Sequence, residues 1–231
     1  FIPLGGSGEI GMNFNVYCCD GQYLIVDVGI TFSDDSTPPG IDVICPDLSA
    51  LRSVRDQLVG IVITHAHEDH VGALHYLWNQ LKAPVYCTPF TASVARRKLS
   101  EAGLLDQVPL HEVLPGSLLE LGGFQLEWVT LTHSIPEPNA LVIRAAGRTV
   151  FHTGDWKLDP HPIEGEHYDD GRLLSLGESG IEFVIGDSTN ATVEGWSGSE
   201  TECRKALHEV IASQPNLSLI HISEPTRHES I

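Results

Sequence analysis

Apolar and polar positions alternate through much of the chain in short runs, the pattern of half-buried strands. Asn13–Cys19 (NFNVYCC) and Gln22–Gly29 (QYLIVDVG) are two such runs. They flank Asp20-Gly21, a dipeptide that suits the tight two-residue hairpin turn. The opening, FIPLGGSGEIG, reads as a strand already under way, with the natural start expected upstream. Gly60–Thr64 (GIVIT) is a short β-branched strand. Val71, Leu74, Leu77, Trp78 and Leu81 then fall at helical spacing and predict one helix over 71–81. Ala83–Thr88 predicts a strand, and Pro89 leads a helix to about Glu101 that stops near Gly103. From Val108 to Val150 the pattern returns to strands (SLLELGG, FQLEWVTLTH, NALVIRAAG, RTVFHTGD), with turns at Gly122-Gly123 and Gly147-Arg148. Residues 156–180 predict a loop with a short helix, IEFVIGD a last strand, and Glu200–Ile211 a helix. Strands first, then alternating strands and helices, then strands again predict a layered α/β sandwich.

Composition narrows this picture. The chain has 231 residues, 42% hydrophobic and 19% charged, which is globular rather than disordered. Its net charge of -18 is not that of a protein that coats nucleic acid nonspecifically. It leaves room for nucleic acid held by bound metal cations, and it suits a site that gathers them. Five cysteines, odd in number and without a C-x-x-C pair, predict buried free thiols in a reducing compartment. Cys18 and Cys19 are expected to face opposite ways in one strand. No apolar run reaches the roughly 18 residues of a membrane span, and no signal peptide opens the chain.

The chemistry concentrates in Thr64–His70, THAHEDH. His65 and His67 alternate and can face one side of an extended loop, while Asp69 and His70 follow at the mouth of the next helix. Imidazole with carboxylate is a ligand set for zinc, manganese or iron-type metals, not for calcium. Two histidines and a third from elsewhere make one tetrahedral site with an open position. Asp69 and His70 point to a second site, and two metals about 3.5–4 Å apart can clamp a phosphodiester. The plain alternative is a helix N-terminus with an aspartate cap and solvated histidines, but four such residues in six positions at a strand end argue against it.

At these residues the chain resembles the metallo-β-lactamase superfamily, whose H-x-H-x-D-H signature HAHEDH matches in full. The resemblance implies an αββα sandwich with a dinuclear site between the sheets. It also implies a third histidine and a bridging aspartate, each at a strand end. TLTHSIPE supplies His133 and FHTGDWK supplies Asp155. Asp27, in LIVDVG, falls where the superfamily keeps an acid that orients a ligand. The remaining histidines, His152 among them, are expected to be structural or solvated, with His152 pointing away from the metals.

LGGSGEIGMN (Leu4–Asn13), GITFSDD, GIDVICPDLSAL and GDSTNA (Gly186–Ala191) narrow the resemblance to the ribonuclease J family, of the β-CASP branch. That implies a cytoplasmic ribonuclease with two divalent ions, zinc first and manganese as the alternative. It would act on 5′-monophosphorylated RNA from the end and internally, in RNA maturation and decay. The intact protein is expected to be a homo-oligomer. Asp69 and Asp187 would be the catalytic acids. The family carries two further histidines in or after its inserted domain, and none is expected here. Residues 1–190 would be the metallo-β-lactamase part, incomplete, and 191–216 the start of the β-CASP insertion. Residues 217–231 (LSLIHISEPTRHESI) read as the translation of a transposase-type sequencing adapter rather than as protein. Such a piece should expose a sheet edge and an apolar face, and dissolve poorly by itself. A small-ester or thioester hydrolase and an inactive metal-binding scaffold are the competing readings, disfavoured by GEIGMN, by GDSTNA and by the intact ligand set.

Overall fold

The computed structural model describes residues 1–214. The adapter-like tail expected at 217–231 lies outside them. In chain order the elements are β1 (Ile2–Gly5), β2 (Phe14–Cys19), β3 (Gln22–Val26), β4 (Thr31–Phe32), β5 (Val43–Ile44) and β6 (Leu58–Val62). Then come α1 (Glu68–Val71), α2 (Leu74–Leu81), β7 (Val85–Cys87), α3 (Pro89–Glu101), β8 (Leu110–Glu112), β9 (Leu118–Leu121) and β10 (Phe124–Thr130). The rest are β11 (Asn139–Ala145), β12 (Arg148–His152), α4 (Asp170–Ser179), β13 (Phe183–Ile185) and α5 (Glu200–Ala212).

Among the described residues the strands form a six-stranded sheet, β1-β2-β3-β6-β7-β8, and a five-stranded sheet, β13-β12-β11-β10-β9, beside the small β4-β5 ribbon. The hairpin β2-β3 turns on Asp20 and Gly21, both at positive φ (49° and 74°), as its dipeptide demands. From β3 onward the first sheet is parallel, β3-β6-β7-β8, and its strands end together on one side.

Alternation along β3 shows how the layers form. Leu24 and Val26 face the second sheet and pack with Leu126, Trp128 and Leu141. Ile25 faces the other way, into a cluster with Leu74, Leu77, Trp78 and Leu99 of α2 and α3. On the far side of the second sheet, Val129, Ala140 and Val142 pack against Leu176 of α4. Helix, sheet, sheet, helix is the αββα order, so the sandwich expected from the sequence is the observed fold.

Three local expectations need correction. The single helix over 71–81 is two, because Ala73 N–H bonds Val28 O at 2.9 Å, and Gly72 lies so close to α1 and Ile30 that a Cβ there would stand 2.4 Å from Glu68 O. The turn between β11 and β12 is Ala146-Gly147, both left-handed, rather than Gly147-Arg148. The cysteines are free, but only Cys87 is buried. Cys18 is exposed and Cys19 is partly buried against the inter-sheet cluster, the opposite faces expected of neighbours in one strand.

Candidate metal centre

Every expected site residue comes from the same end of the sandwich. β3 ends at Asp27, β6 at the Thr64–His70 segment, β10 shortly before His133, β12 before Asp155, and β13 before Asp187. Strand ends converge there because the parallel strands of each sheet leave their C-terminal ends on that side.

Two groups of ligand-type atoms form. His65, His67, His133 and Asp155 make the first; Asp69, His70 and Asp155 make the second. His67 Nδ1 lies 3.1 Å from His65 Nε2 and 3.2 Å from His133 Nε2. A tetrahedral ion with metal–nitrogen bonds of about 2.0–2.1 Å would set its nitrogens about 3.3 Å apart. Asp155 spans the groups, with Oδ1 3.1 Å from His70 Nε2 and Oδ2 3.6 Å from His133 Nε2. Asp69 Oδ2 stands 3.6 Å from His70 Nε2.

Buried hydrogen bonds behind the site set which ring nitrogen faces it. Asp27, fully buried at φ 66°, accepts from Thr64 N–H at 2.8 Å and from the Thr64 hydroxyl. Its Oδ2 holds His70 Nδ1 at 2.8 Å, so Nε2 turns to the site. Having donated to Asp27, the Thr64 hydroxyl accepts from His65 Nδ1–H at 3.0 Å, which leaves His65 Nε2 as the inward lone pair.

Charge balance fits a cation. Burial, followed by the neighbouring imidazoles, pushes the His65 pKa well below its ordinary value. Burial also lowers His67 and His133, against the opposing pull of nearby carboxylates. Neutral imidazoles are the ligand form. Burial alone would lower His70 too, but Asp27 and Asp155 outweigh it and push it up to about 10. Asp155 is held low despite its burial by His70, His133 and His67. The carboxylates around His70 thus ask for a positive charge, which a proton or a metal ion supplies equally. The cluster can hold a metal.

The other expected residues fall as follows. Asp187 lines the same cavity as Asp69, His70 and Asp155, a cleft of about 640 Å³, but belongs to neither ligand group. Its Oδ1 is taken up by Thr189, from N–H at 2.8 Å and from the hydroxyl at 2.6 Å. His152 is outside both groups; it is buried, and its Nδ1 meets the Tyr17 hydroxyl at 2.8 Å. Burial drops its pKa to about 4. Asn13 and Thr64 are the residues that reading the sequence did not single out. Thr64 was signalled only by its place beside His65, and Asn13 by closing a glycine-rich stretch just before a strand.

Residues 38–177 match the family described as beta-lactamase superfamily domain. Ribonuclease J of Sinorhizobium meliloti is 44% identical over 216 residues, 92% of this chain and 38% of that protein. Ribonuclease J of Helicobacter pylori strain 26695 is 38% identical over 89% of this chain and 30% of its own length. That of Thermus thermophilus is 37% identical over 93% of this chain and 38% of its own. The chain thus spans between three and four tenths of the length of these relatives. A crystal structure from Enterococcus faecalis V583 shares the fold at 17% identity, with a TM-score of 0.66 over 93% of this chain and 57% of that one. The chain belongs to the beta-lactamase superfamily, and ribonuclease J proteins are its homologues along about nine-tenths of its length.

Proposed function

We propose that this chain is the catalytic part of a metal-dependent ribonuclease that hydrolyses RNA phosphodiesters in RNA maturation and decay. The observation that carries the reading is the pair of ligand groups joined by Asp155. His65, His67 and His133 would hold one divalent ion and Asp69 and His70 a second, with Asp155 belonging to both groups. Zinc suits the three-imidazole set, with manganese as the alternative. When bound, such ions supply Lewis-acid chemistry, making a water nucleophilic near neutral pH and neutralising charge on the phosphoryl oxygens.

The chain's own groups do the rest. Asp27 orients His70 and, through Thr64, His65. Asp69, a third exposed at the mouth, is the carboxylate placed to take up a proton at Oδ2. Asp187 lines the cavity as a second acid, its backbone N–H donating to the Thr153 hydroxyl at 3.0 Å. The substrate is 5′-monophosphorylated RNA, cut both from the end and internally, in the cytoplasm, by a homo-oligomer of the full protein. No helix among the described residues is long and apolar enough to cross a membrane. Residues 1–190 form the metallo-β-lactamase part, and α5 lies in the start of a β-CASP insertion.

The test uses the full-length gene product with end-labelled RNA bearing a 5′-monophosphate or a 5′-hydroxyl, alongside a thioester. Cleavage of RNA alone, abolished in His67→Ala and Asp69→Asn, supports the reading. Turnover of the thioester, or RNA cleavage indifferent to both substitutions, overturns it.

A further inference from the structure

The loop that closes over the second ligand group carries one polar side chain that neither holds that group together nor faces solvent freely. Asn13 is stapled through its backbone on both sides. Its N–H donates to Asp69 O at 2.9 Å, and its carbonyl accepts from Gly29 N–H at 2.8 Å. Met12, next to it, takes φ 53° and donates to Ile30 O, which fixes the direction in which Asn13 leaves the loop. The carboxamide oxygen is packed against Gly6: a Cβ there would stand 2.4 Å from Asn13 Oδ1. The amide nitrogen is therefore the end that faces the site, 3.1 Å from His70 Nε2 and 3.4 Å from Asp69 Oδ2.

Neither of those atoms satisfies the two N–H bonds well. The His70 lone pair is also faced by Asp155 Oδ1 at 3.1 Å, and the Asp69 contact is long for a hydrogen bond to a carboxylate. A neutral donor is thus aimed into a cleft beside the His70 imidazole and the Asp69 carboxylate. Among the described residues, that cleft is lined by no lysine and no arginine. An anionic substrate drawn in by metal charge meets few side-chain donors there, and Asn13 is one held rigidly at the ligand group itself.

We propose that Asn13 is a substrate-contacting residue: its amide donates to a phosphoryl oxygen of the scissile phosphodiester beside Asp69, His70 and Asp155. This rests on the ribonuclease reading. A fixed N–H donor gains its value from being in place before charge develops, since no solvent must reorganise around it.

The experiment uses the metal-loaded full-length gene product with Asn13→Asp, which keeps the shape and exchanges donor for acceptor, and Asn13→Ser, which keeps a shorter donor. Metal content is read by mass spectrometry, inorganic phosphate affinity by calorimetry, and kcat and KM on RNA. Expected are unchanged metal content in both and phosphate binding weakened about tenfold or more in Asn13→Asp. The kcat of Asn13→Asp should fall by about 10²–10³, the scale of losing one preorganised donor, and Asn13→Ser should fall between it and the wild type. Phosphate affinity and kcat within about twofold of wild type in both variants overturn the proposal. Loss of a metal ion overturns it too, because Asn13 would then position ligands rather than substrate. If the wild type fails to cleave RNA while phosphate binding still depends on Asn13, the parent reading fails and the phosphate contact stands.

Discussion

Asp27 shows how much of the candidate metal centre depends on one buried side chain that does not belong to it. Three donors converge on its carboxylate: Thr64 N–H, the Thr64 hydroxyl and His70 Nδ1–H. Asp27→Asn keeps the volume but places an amide nitrogen among donors, so one of them loses its acceptor. The histidine that this bond orients should then bind metal about 10–100-fold more weakly. Competition with a chelator, read by metal release, measures it; affinity within twofold of wild type would show that His70 is oriented some other way. Asp27→Ala removes every acceptor at once and should destabilise the fold by about 3–5 kcal/mol, the cost of stranding buried partners. At the same scale, the H-x-H-x-D-H residues were legible because their types and spacing carry the chemistry. His133, Asp155 and Asp27 were legible only through a family resemblance, and Asn13 and Thr64 were not, since an asparagine before a strand or a threonine before a histidine has many ordinary uses.

Among elements, the contacts that matter are close backbone approaches. Gly29, just past β3, sits where a Cβ would meet Asp69 O at 1.7 Å and Asn13 N at 2.8 Å. Only a residue without a side chain lets the β3 end, the glycine-rich loop and α1 close on one another. Gly29→Ala should cost about 3 kcal/mol, the upper range for overpacking, seen as a lowered denaturation midpoint, and an unchanged midpoint would mean that the three segments yield easily. On the opposite flank, α4 is tied to the second sheet by Arg172, which grips Glu127 of β10 together with Arg144 of the neighbouring strand β11. The Arg172 hydrogen bond holds the Glu127 carboxyl below its ordinary pKa against the effect of burial, with Arg144 helping. A carboxylate lowered in the folded state adds stability above its unfolded value of about 4.3, and that stability is lost as pH falls through the folded value. Glu127→Gln should therefore melt lower than wild type at pH 7, with the gap closing below about pH 4. Melting curves at both pH values check the sign; a gap constant with pH would remove the ion pair from the account. Elements of this size were well predicted where periodicity and punctuation agree, as for α3 between Pro89 and Gly103. The split between α1 and α2 was not, because Ala73 N–H leaves the helical pattern to bond Val28, a partner distant in sequence.

Across the whole molecule, the two sheets part at one margin. An apolar cleft of about 400 Å³ opens there between Tyr17, Phe124, Ile143 and Ile185. The edge strand β13 exposes Phe183 and Val184, at 56% and 62%. An open edge with apolar side chains is a template for association. The 231-residue chain by itself should therefore self-associate at micromolar concentration despite its net charge of -18, with salt strengthening the effect by screening that charge. Light scattering across a salt series measures it, and a monomer at all salts would mean that the margin is covered from within. The sequence alone determined the layered α/β class, most strand positions and the residue types of a cluster that could hold metal, because hydrophobic period and ligand chemistry are local properties. Which nitrogen of each histidine faces inward, how Asp155 reaches both ligand groups, and where Asn13 aims its amide were decided only by tertiary structure. Those depend on atoms brought within hydrogen-bond reach from segments far apart in the chain, such as His67 and His133 or His70 and Asp155, and no local pattern encodes that distance.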